Sequence, residues 1–358
     1  MGFTRKLLSS LKKASTPMML PDIFHRYRNQ IDIELSSILD GYQLPLYDML
    51  RYHLGYLDIH GNPSNHSNGK ALRSTLCLMA CEAVGGDFHR TLPAAAALEL
   101  VHNFSLIHDD IQDGDRERRH RPTVWAIHGK PQAINAGMAM RVLANVSMMR
   151  LNERGVPSST LLQALALLDQ TSLRLIEGQY LDLSFEQRQD ISTEDYLNMV
   201  KLKTVSLIAC ALELGAMLVV DDRCLIQPLL NFGTNLGFAF QLRDDLLGIW
   251  GDQSITGKPV GSDILRRKKS YPVVFAWENS SDSEKNTLSS LYQDDRLEED
   301  GKSRVLEILD GTGARNHSQA LIEKYCQDAR LEIEQAQVSA TGRACFTELI
   351  EFLSIREF

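Results

Sequence analysis

Apolar residues return every three or four positions along nearly the whole of this chain, and no run alternates apolar and polar side chains between hairpin turns. The first pattern is the period of an α-helix, and the absence of the second removes most β architectures. The spacing predicts helices over 22–58, 69–84, 93–113, 131–152, 158–185, 193–220 and 223–250. Further ones are expected over 272–278, 282–292, 302–309, 316–338 and 341–354. Breakers separate them: the segment His60 to Asn68, Gly85-Gly86-Asp87, the charged run Gly114 to Pro122, and a Gly-, Lys- and Arg-rich stretch over 251–270. Short connections without a repeat or a linker imply one all-α domain over 22–358, behind a basic tail over 1–21.

Composition narrows the partners. The 358 residues are 44% hydrophobic and 23% charged, enough apolar material for a sizeable core without staples. A net charge of -8 argues against generic nucleic-acid binding. No run approaches the roughly 20 apolar residues of a membrane span. The six cysteines show no zinc spacing and read as reduced core thiols of a cytoplasmic protein. The tail carries Arg5, Lys6, Lys12 and Lys13 and no acid, with Phe3, Leu7, Leu8 and Leu11 on one helical face. A frayed basic end accounts for it; a membrane-contacting or transit segment is the alternative.

The chemistry concentrates in Leu98 to Thr123, LELVHNFSLIHDDIQDGDRERRHRPT. A strongly apolar helix ends in Asp109, Asp110 and Asp113. Asp109 and Asp113 are four apart and share a face. Two such carboxylates repel each other, and the negative end of the helix dipole adds to the cost. Hard oxygen ligands in this arrangement suit Mg2+, which completes its shell with water and substrate phosphate. Arg116, Arg118, Arg119 and Arg121 follow, and guanidinium groups grip phosphate through paired hydrogen bonds. A second apolar helix, FQLRDDLLGIWGD from Phe240 to Asp252, again ends in an acidic pair, Asp244 and Asp245. If the two helices face each other, they line a negative cleft that cations could bridge.

DDIQD at 109–113 with Arg118-Arg119, together with FQLRDD at 240–245, resembles the trans-isoprenyl diphosphate synthases, the polyprenyl synthetases, from about Gly69 to Pro272. The resemblance implies an isoprenoid-synthase helical bundle with a central apolar cavity. It implies condensation of isopentenyl diphosphate with an allylic diphosphate in a homodimeric enzyme. Lys70 and Arg73, in Gly69-Lys70-Ala71-Leu72-Arg73, look like the family's isopentenyl diphosphate ligands, with Ala71 in place of a basic residue. His102 and Arg119 match further ligands of that substrate, and Arg118 matches the allylic one. Asp109, Asp113 and Asp244 match metal-binding carboxylates, and Asp110 reads as a supporting residue. Lys203, Thr204 and Gln241 match groups that orient the allylic diphosphate and stabilise developing positive charge. Lys258 and Lys268 look like basic residues that close over the phosphates. The second motif departs from the usual DDxxD, because Gly248 stands at its fifth position.

The implied reaction is ionisation, condensation and elimination in a dry apolar slot. Its floor, by resemblance, lies at Phe104 and Ser105, five and four residues before the first motif. Five helical residues span roughly 7.5 Å, the scale of an isoprene unit or two. An aromatic ring beside a small residue favours a C20 product, geranylgeranyl diphosphate, over C15 and C25 alternatives. Met138, Met140, Met148 and Met149 are either slot lining or ordinary core. A class I terpene cyclase has no need of a second diphosphate pocket. A metal phosphohydrolase built on His108-Asp109 leaves the second acidic pair unexplained. A non-catalytic partner subunit should lack the first acidic cluster, which this chain keeps.

Overall fold

The computed structural model describes residues 21–64, 69–252, 260–293 and 297–355. Lys258 and the basic residues of the tail over 1–20 lie outside them. The chain enters through α1 (Ile23–Arg26), α2 (Arg28–Leu39) and α3 (Pro45–His53), then α4 (Leu72–Ala83) and α5 (Leu92–Gln112). A two-stranded hairpin, β1 (Glu117–Arg118) and β2 (Arg121–Pro122), leads to α6 (Val124–His128), α7 (Lys130–Met149) and α8 (Ser158–Glu186). Next come α9 (Thr193–Val200), α10 (Ser206–Met217) and α11 (Arg223–Trp250). The last part holds α12 (Ser262–Leu265), α13 (Tyr271–Asn279), α14 (Asp282–Gln293), α15 (Glu299–Gly311), α16 (Ala314–Gln335) and α17 (Ala340–Ile355).

Helix α10 sits at the centre. Every residue from Leu207 to Ala216 is buried, and a helix apolar all round can only be accommodated inside. It packs on α4, α5, α8 and α11. Helix α5 is similarly enclosed between α4 and α7: Pro93 starts it, and the small side chains of Ala94 to Ala97 let its neighbours approach closely. Helix α16 covers the outer side of α11, and a smaller apolar cluster under α13–α15 includes Ile264, Val273, Leu288 and Val305. No helix among the described residues is long and apolar enough to cross a membrane.

The expected helix over 22–58 is broken into three. Asp40 turns extended and Gly41 takes φ +83°. Pro45 then holds Leu44 extended (ψ 145°), since proline disfavours helical geometry in its predecessor. The span 193–220 stays helical, but Lys201–Val205 forms one π-helical turn between α9 and α10. The charged run at 114–122 contains the hairpin, which is too short to show a two-residue period. Close contacts rather than side-chain volume fix the bundle's tightest crossing. A Cβ on Gly215 of α10 would lie 2.0 Å from the Cys77 carbonyl oxygen and 2.9 Å from the Ala80 Cβ of α4. Gly215→Ala is therefore expected to cost ~1–3 kcal/mol, as overpacked core positions do. The check is a lower urea midpoint at unchanged slope.

Candidate active site

The cleft is bounded by the C-terminal ends of α5 and α11, the π turn, the hairpin after α5, and the end of α8. Asp109 and Asp113 lie on the cleft side of α5. Burial pushes the Asp109 carboxyl up to about 6, with Lys203 opposing the rise and Asp113 adding to it. Asp113 moves the same way for the same leading reason. Asp110 points elsewhere. It is 2% exposed and takes both Nε and Nη2 of Arg118 on one oxygen, each at 2.7 Å. Asp110 thus anchors the hairpin to the helix that carries the motif.

That hairpin turns through Arg119 (φ 52°) and His120 (φ 61°), both in the left-handed region. Such a pair closes a tight hairpin but normally calls for Gly or Asn. Neither is present, at a cost of roughly 1–2 kcal/mol per residue. Surrounding contacts hold the strained turn. Tyr52 donates from its hydroxyl to the Pro122 carbonyl (2.7 Å), and Arg121 donates to the Leu57 carbonyl (2.8 Å) while stacking over the Tyr52 ring. A cavity of about 400 Å³ opens beside it, lined by His53, Arg118, Arg119 and Arg121 among others.

Arg119 reaches back to the segment before α4. A Cβ on Gly69, whose φ is +82°, would fall 2.4 Å from its Nη2, so only glycine leaves this path open. Arg73 lies half-buried beside it, and burial pushes its guanidinium down to about 10 despite Glu99 and Asp244. Its Nε has no hydrogen-bond partner among the described residues. His102 is held well below its ordinary value by burial, then by Arg73, Arg119 and Arg118. His53, unnoticed in the sequence, joins them: its ring nitrogen lies 3.1 Å from Asn103 Oδ1, and burial with Arg118 and Arg119 pushes it down to about 3. The structure brings Arg73, His102, Arg118 and Arg119 into one positive pocket. Glu99 is the buried carboxylate whose charge acts on Arg73 and Arg119. Lys70 is half-buried, with its ammonium 5.5 Å from the Phe352 ring centre.

Across the cleft, the π turn aims two consecutive side chains at different partners. Lys203 donates to Asp182 Oδ2 (2.6 Å), and Thr204 donates to Gln241 Oε1 (2.8 Å). Gln241 in turn donates to Asp245 (3.1 Å), which also accepts from the Tyr196 hydroxyl (2.5 Å) and the Tyr271 amide (3.2 Å). Asp245 is fully buried and tied inward, while Asp244 keeps partial exposure and acts on both Arg73 and Lys268. Two glycines let the π turn in. A Cβ on Gly178 of α8 would sit 2.3 Å from the Lys203 amide nitrogen, and one on Gly237 of α11 would sit 3.0 Å from the Val205 Cα. Lys268 is held above its ordinary value because Asp263, Asp245, Asp182 and Asp244 together outweigh burial.

Asp182, like His53, went unremarked in the sequence. It is one of several charged residues on α8, and only its pairing with Lys203 gives it meaning. Phe104 and Ser105 are both buried upstream of the motif. The Phe104 ring meets His108 edge-on, and the His108 ring lies where a Cβ on Gly137 of α7 would stand. Of the four methionines, Met140 and Met148 are core, whereas Met138 and Met149 are exposed.

Among the described residues, no three carboxylate, imidazole or thiol groups converge closely enough to hold a cation alone. The donors present still fit magnesium. Asp109 and Asp113 at the end of α5 and Asp244 on α11 offer hard oxygen donors, and Lys268 acts on both Asp113 and Asp244; such an ion takes one or two carboxylates and completes its shell from phosphate and water. A model of the polyprenyl synthetase family matches residues 61–309. The chain belongs to the polyprenyl synthetase family. The (2E,6E)-farnesyl diphosphate synthase of Mycobacterium tuberculosis is 39% identical over 295 residues, 82% of this chain and 80% of that one. The geranylgeranyl diphosphate synthase of the same organism is 40% identical over 271 residues, 76% of each. The crystal structure of a polyprenyl synthetase from Streptomyces coelicolor A3(2) superposes with a TM-score of 0.86 at 35% identity, over 93% of this chain and 99% of that one.

His53 makes a pH-dependent contribution whose sign can be worked out. Its folded-state value is depressed below the unfolded one, so on acidification the unfolded chain binds a proton that the folded chain refuses. Stability from this position is complete above about pH 6.5, the unfolded histidine value. It is lost as pH falls from there toward about 3. Urea unfolding at pH 7.5, 6 and 5 should show the wild type losing more stability than His53→Gln, which keeps a partner for Asn103. Parallel losses would remove His53 from the account.

Proposed function

We propose that this chain is a prenyl diphosphate synthase that condenses isopentenyl diphosphate with an allylic diphosphate and releases geranylgeranyl diphosphate. One observation carries the reading: two anion-seeking regions share one cleft. The set Arg73, His102, Arg118 and Arg119 is rich in positive charge; the first three are half-buried, and the Arg73 Nε is buried with no hydrogen-bond partner among the described residues. Such groups are costly to bury without an anion to offset them. Beside them, Asp109 and Asp113 repel each other unless a cation intervenes, and Asp244 adds a further carboxylate that acts on Arg73 and Lys268. A synthase needs a diphosphate in each region, whereas a cyclase needs only one.

Magnesium, when bound through Asp109, Asp113 and Asp244, would neutralise the leaving diphosphate. The protein's own groups do the remainder. Lys203, held in place by Asp182 and Gly178, and Lys268 add fixed positive charge beside Asp182 and Asp109; Lys258, outside the described residues, is assigned a similar role by the family resemblance alone. Arg118 is placed by Asp110 to meet the allylic diphosphate. Lys70, Arg73, His102 and Arg119 hold isopentenyl diphosphate, and the short distance between pockets turns the encounter into a proximity effect. Thr204 and Gln241, locked to each other and to Asp245, present oxygen dipoles toward developing positive charge. The allylic C–O bond breaks, the new C–C bond forms, and a proton leaves to the departed diphosphate. Phe104 and Ser105 set how far the product extends along α5, which supports C20 over C15 or C25. Six unpaired thiols support a reducing, cytoplasmic setting.

The product assay is the direct test. Purified protein with magnesium, labelled isopentenyl diphosphate and C5, C10 or C15 primers should yield a linear C20 diphosphate. Asp109→Ala should abolish it, as should chelation of the metal. No condensation by folded protein with any primer would overturn the proposal.

A second copy of the chain completes the reading. Ile134, Met138, Val142, Val146 and Met149 make an exposed apolar stripe along α7, at spacings of four and three. Neighbouring α8 exposes Leu173, Ile176 and Tyr180. An apolar face of this kind on a soluble domain needs a partner, and a two-fold homodimer covers it with itself. Val142→Glu is expected to shift the protein from dimer to monomer in size-exclusion chromatography with light scattering. A wild type that elutes as a monomer would remove the dimer from the proposal.

A further inference from the structure

We propose that Arg28 of α2 is a positioning residue for isopentenyl diphosphate, because it fixes the turn that presents Lys70 and Arg73. The inference rests on the synthase reading above. The turn is Gly69-Lys70-Ala71, directly before α4, and its backbone is left-handed at both ends. Gly69 takes φ +82°, and Ala71 takes φ 47° with ψ 41°. That region suits glycine and is costly for alanine. Ala71 also caps α4 without a side-chain hydrogen bond of its own. The turn therefore depends on contacts that reach it from outside.

Arg28 supplies one of those contacts. Its Nη1 donates to the Gly69 carbonyl (2.8 Å), and its Nε donates to Asp32 Oδ2 (2.7 Å). Both bonds leave one planar fork, so Asp32 sets the direction from which Arg28 meets the carbonyl. The start of α2 is held as well, since the Tyr27 hydroxyl donates to Glu82 of α4. At the other end of the turn, Ser74 Oγ donates to the Ala71 carbonyl (2.9 Å).

The arrangement does more than satisfy a carbonyl, which water could do at this half-buried place. The Arg119 guanidinium packs against the Gly69 Cα, where a Cβ would fall 2.4 Å from Nη2 and 2.7 Å from Cζ. One glycine thus carries Arg28 on its carbonyl and Arg119 on its Cα. The charge of Arg28 acts on Arg119 and also on the buried Glu99. Like charges gathered around one turn favour an anion beside it. A neutral donor would hold the same backbone without adding to that field.

Steady-state kinetics on the full chain separate positioning from support. Arg28→Gln, shown to be folded by circular dichroism, should raise the KM for isopentenyl diphosphate about 10-fold, the loss that follows removal of one hydrogen bond from a charged group. Its kcat and its KM for the allylic primer should stay at the wild-type values, the signature of lost ground-state binding of one substrate. Asp32→Asn gives a second reading where Arg28→Gln does not fold. It keeps Arg28 and its carbonyl contact but removes the charge that aims the fork, and it should raise the same KM alone by a smaller factor. An unchanged KM for isopentenyl diphosphate in the folded variant would overturn the assignment. So would a fall in kcat with both KM values moving together, which would leave Arg28 a structural residue. No condensation by wild type would instead overturn the synthase reading itself.

Discussion

The structure depends on opposing sets of like charges held at short range. Two apolar helices, α5 and α11, end in carboxylates that gain nothing from each other and sit at the unfavourable end of a helix dipole. Next to them stands a pocket of guanidinium and imidazole groups, and burial depresses Arg73, Arg119, His53 and His102 together. Each set is expensive alone. Side by side each set offsets part of the other's cost. Two ion pairs join them locally, Arg118 on Asp110 and Lys203 on Asp182, and hold the hairpin and the π turn in place.

Precision in this arrangement comes from backbone approaches that only glycine permits. Gly69 admits Arg119, Gly178 and Gly237 admit the π turn, and Gly248 admits Asp263. The π turn carries consecutive residues to different neighbours, Lys203 to Asp182 on α8 and Thr204 to Gln241 on α11. The strain of Arg119 and His120 at the hairpin tip belongs to the same pattern. An unfavourable local conformation persists because Tyr52, Arg121 and Asp110 over-determine it, and it is concentrated where ligand chemistry is concentrated.

The surface divides along similar lines. The charged cleft opens at one end of the bundle, while the outward faces of α7 and α8 carry the apolar stripe. Met138 and Met149 belong to that stripe and Met140 and Met148 to the core. A methionine cluster that reads as a unit along the chain is thus split by the helical twist between two different environments.

The amino-acid sequence by itself determined the helical class, because a period near four with no period of two leaves few alternatives. It determined the acidic ends of α5 and α11 and the basic residues around them, because charged residues on apolar helices stand out against their context. Its periodicity could not locate the breaks at Gly41 and Pro45 inside 22–58, where apolar spacing continues through the turn. The family resemblance already set Asp109 apart from Asp110 and Asp244 apart from Asp245; tertiary structure supplied the partners that tie Asp110 and Asp245 inward, Arg118 for one and Tyr196, Gln241 and the Tyr271 amide for the other. It alone decided that Asp182 meets Lys203, that His53 joins the positive pocket, and that Asp263 fills the space over Gly248. Those partners lie 21, 49 and 15 residues apart, taking Lys203, His102 and Gly248 as the references. Contacts at such separations are set by how whole helices pack, which no local pattern encodes.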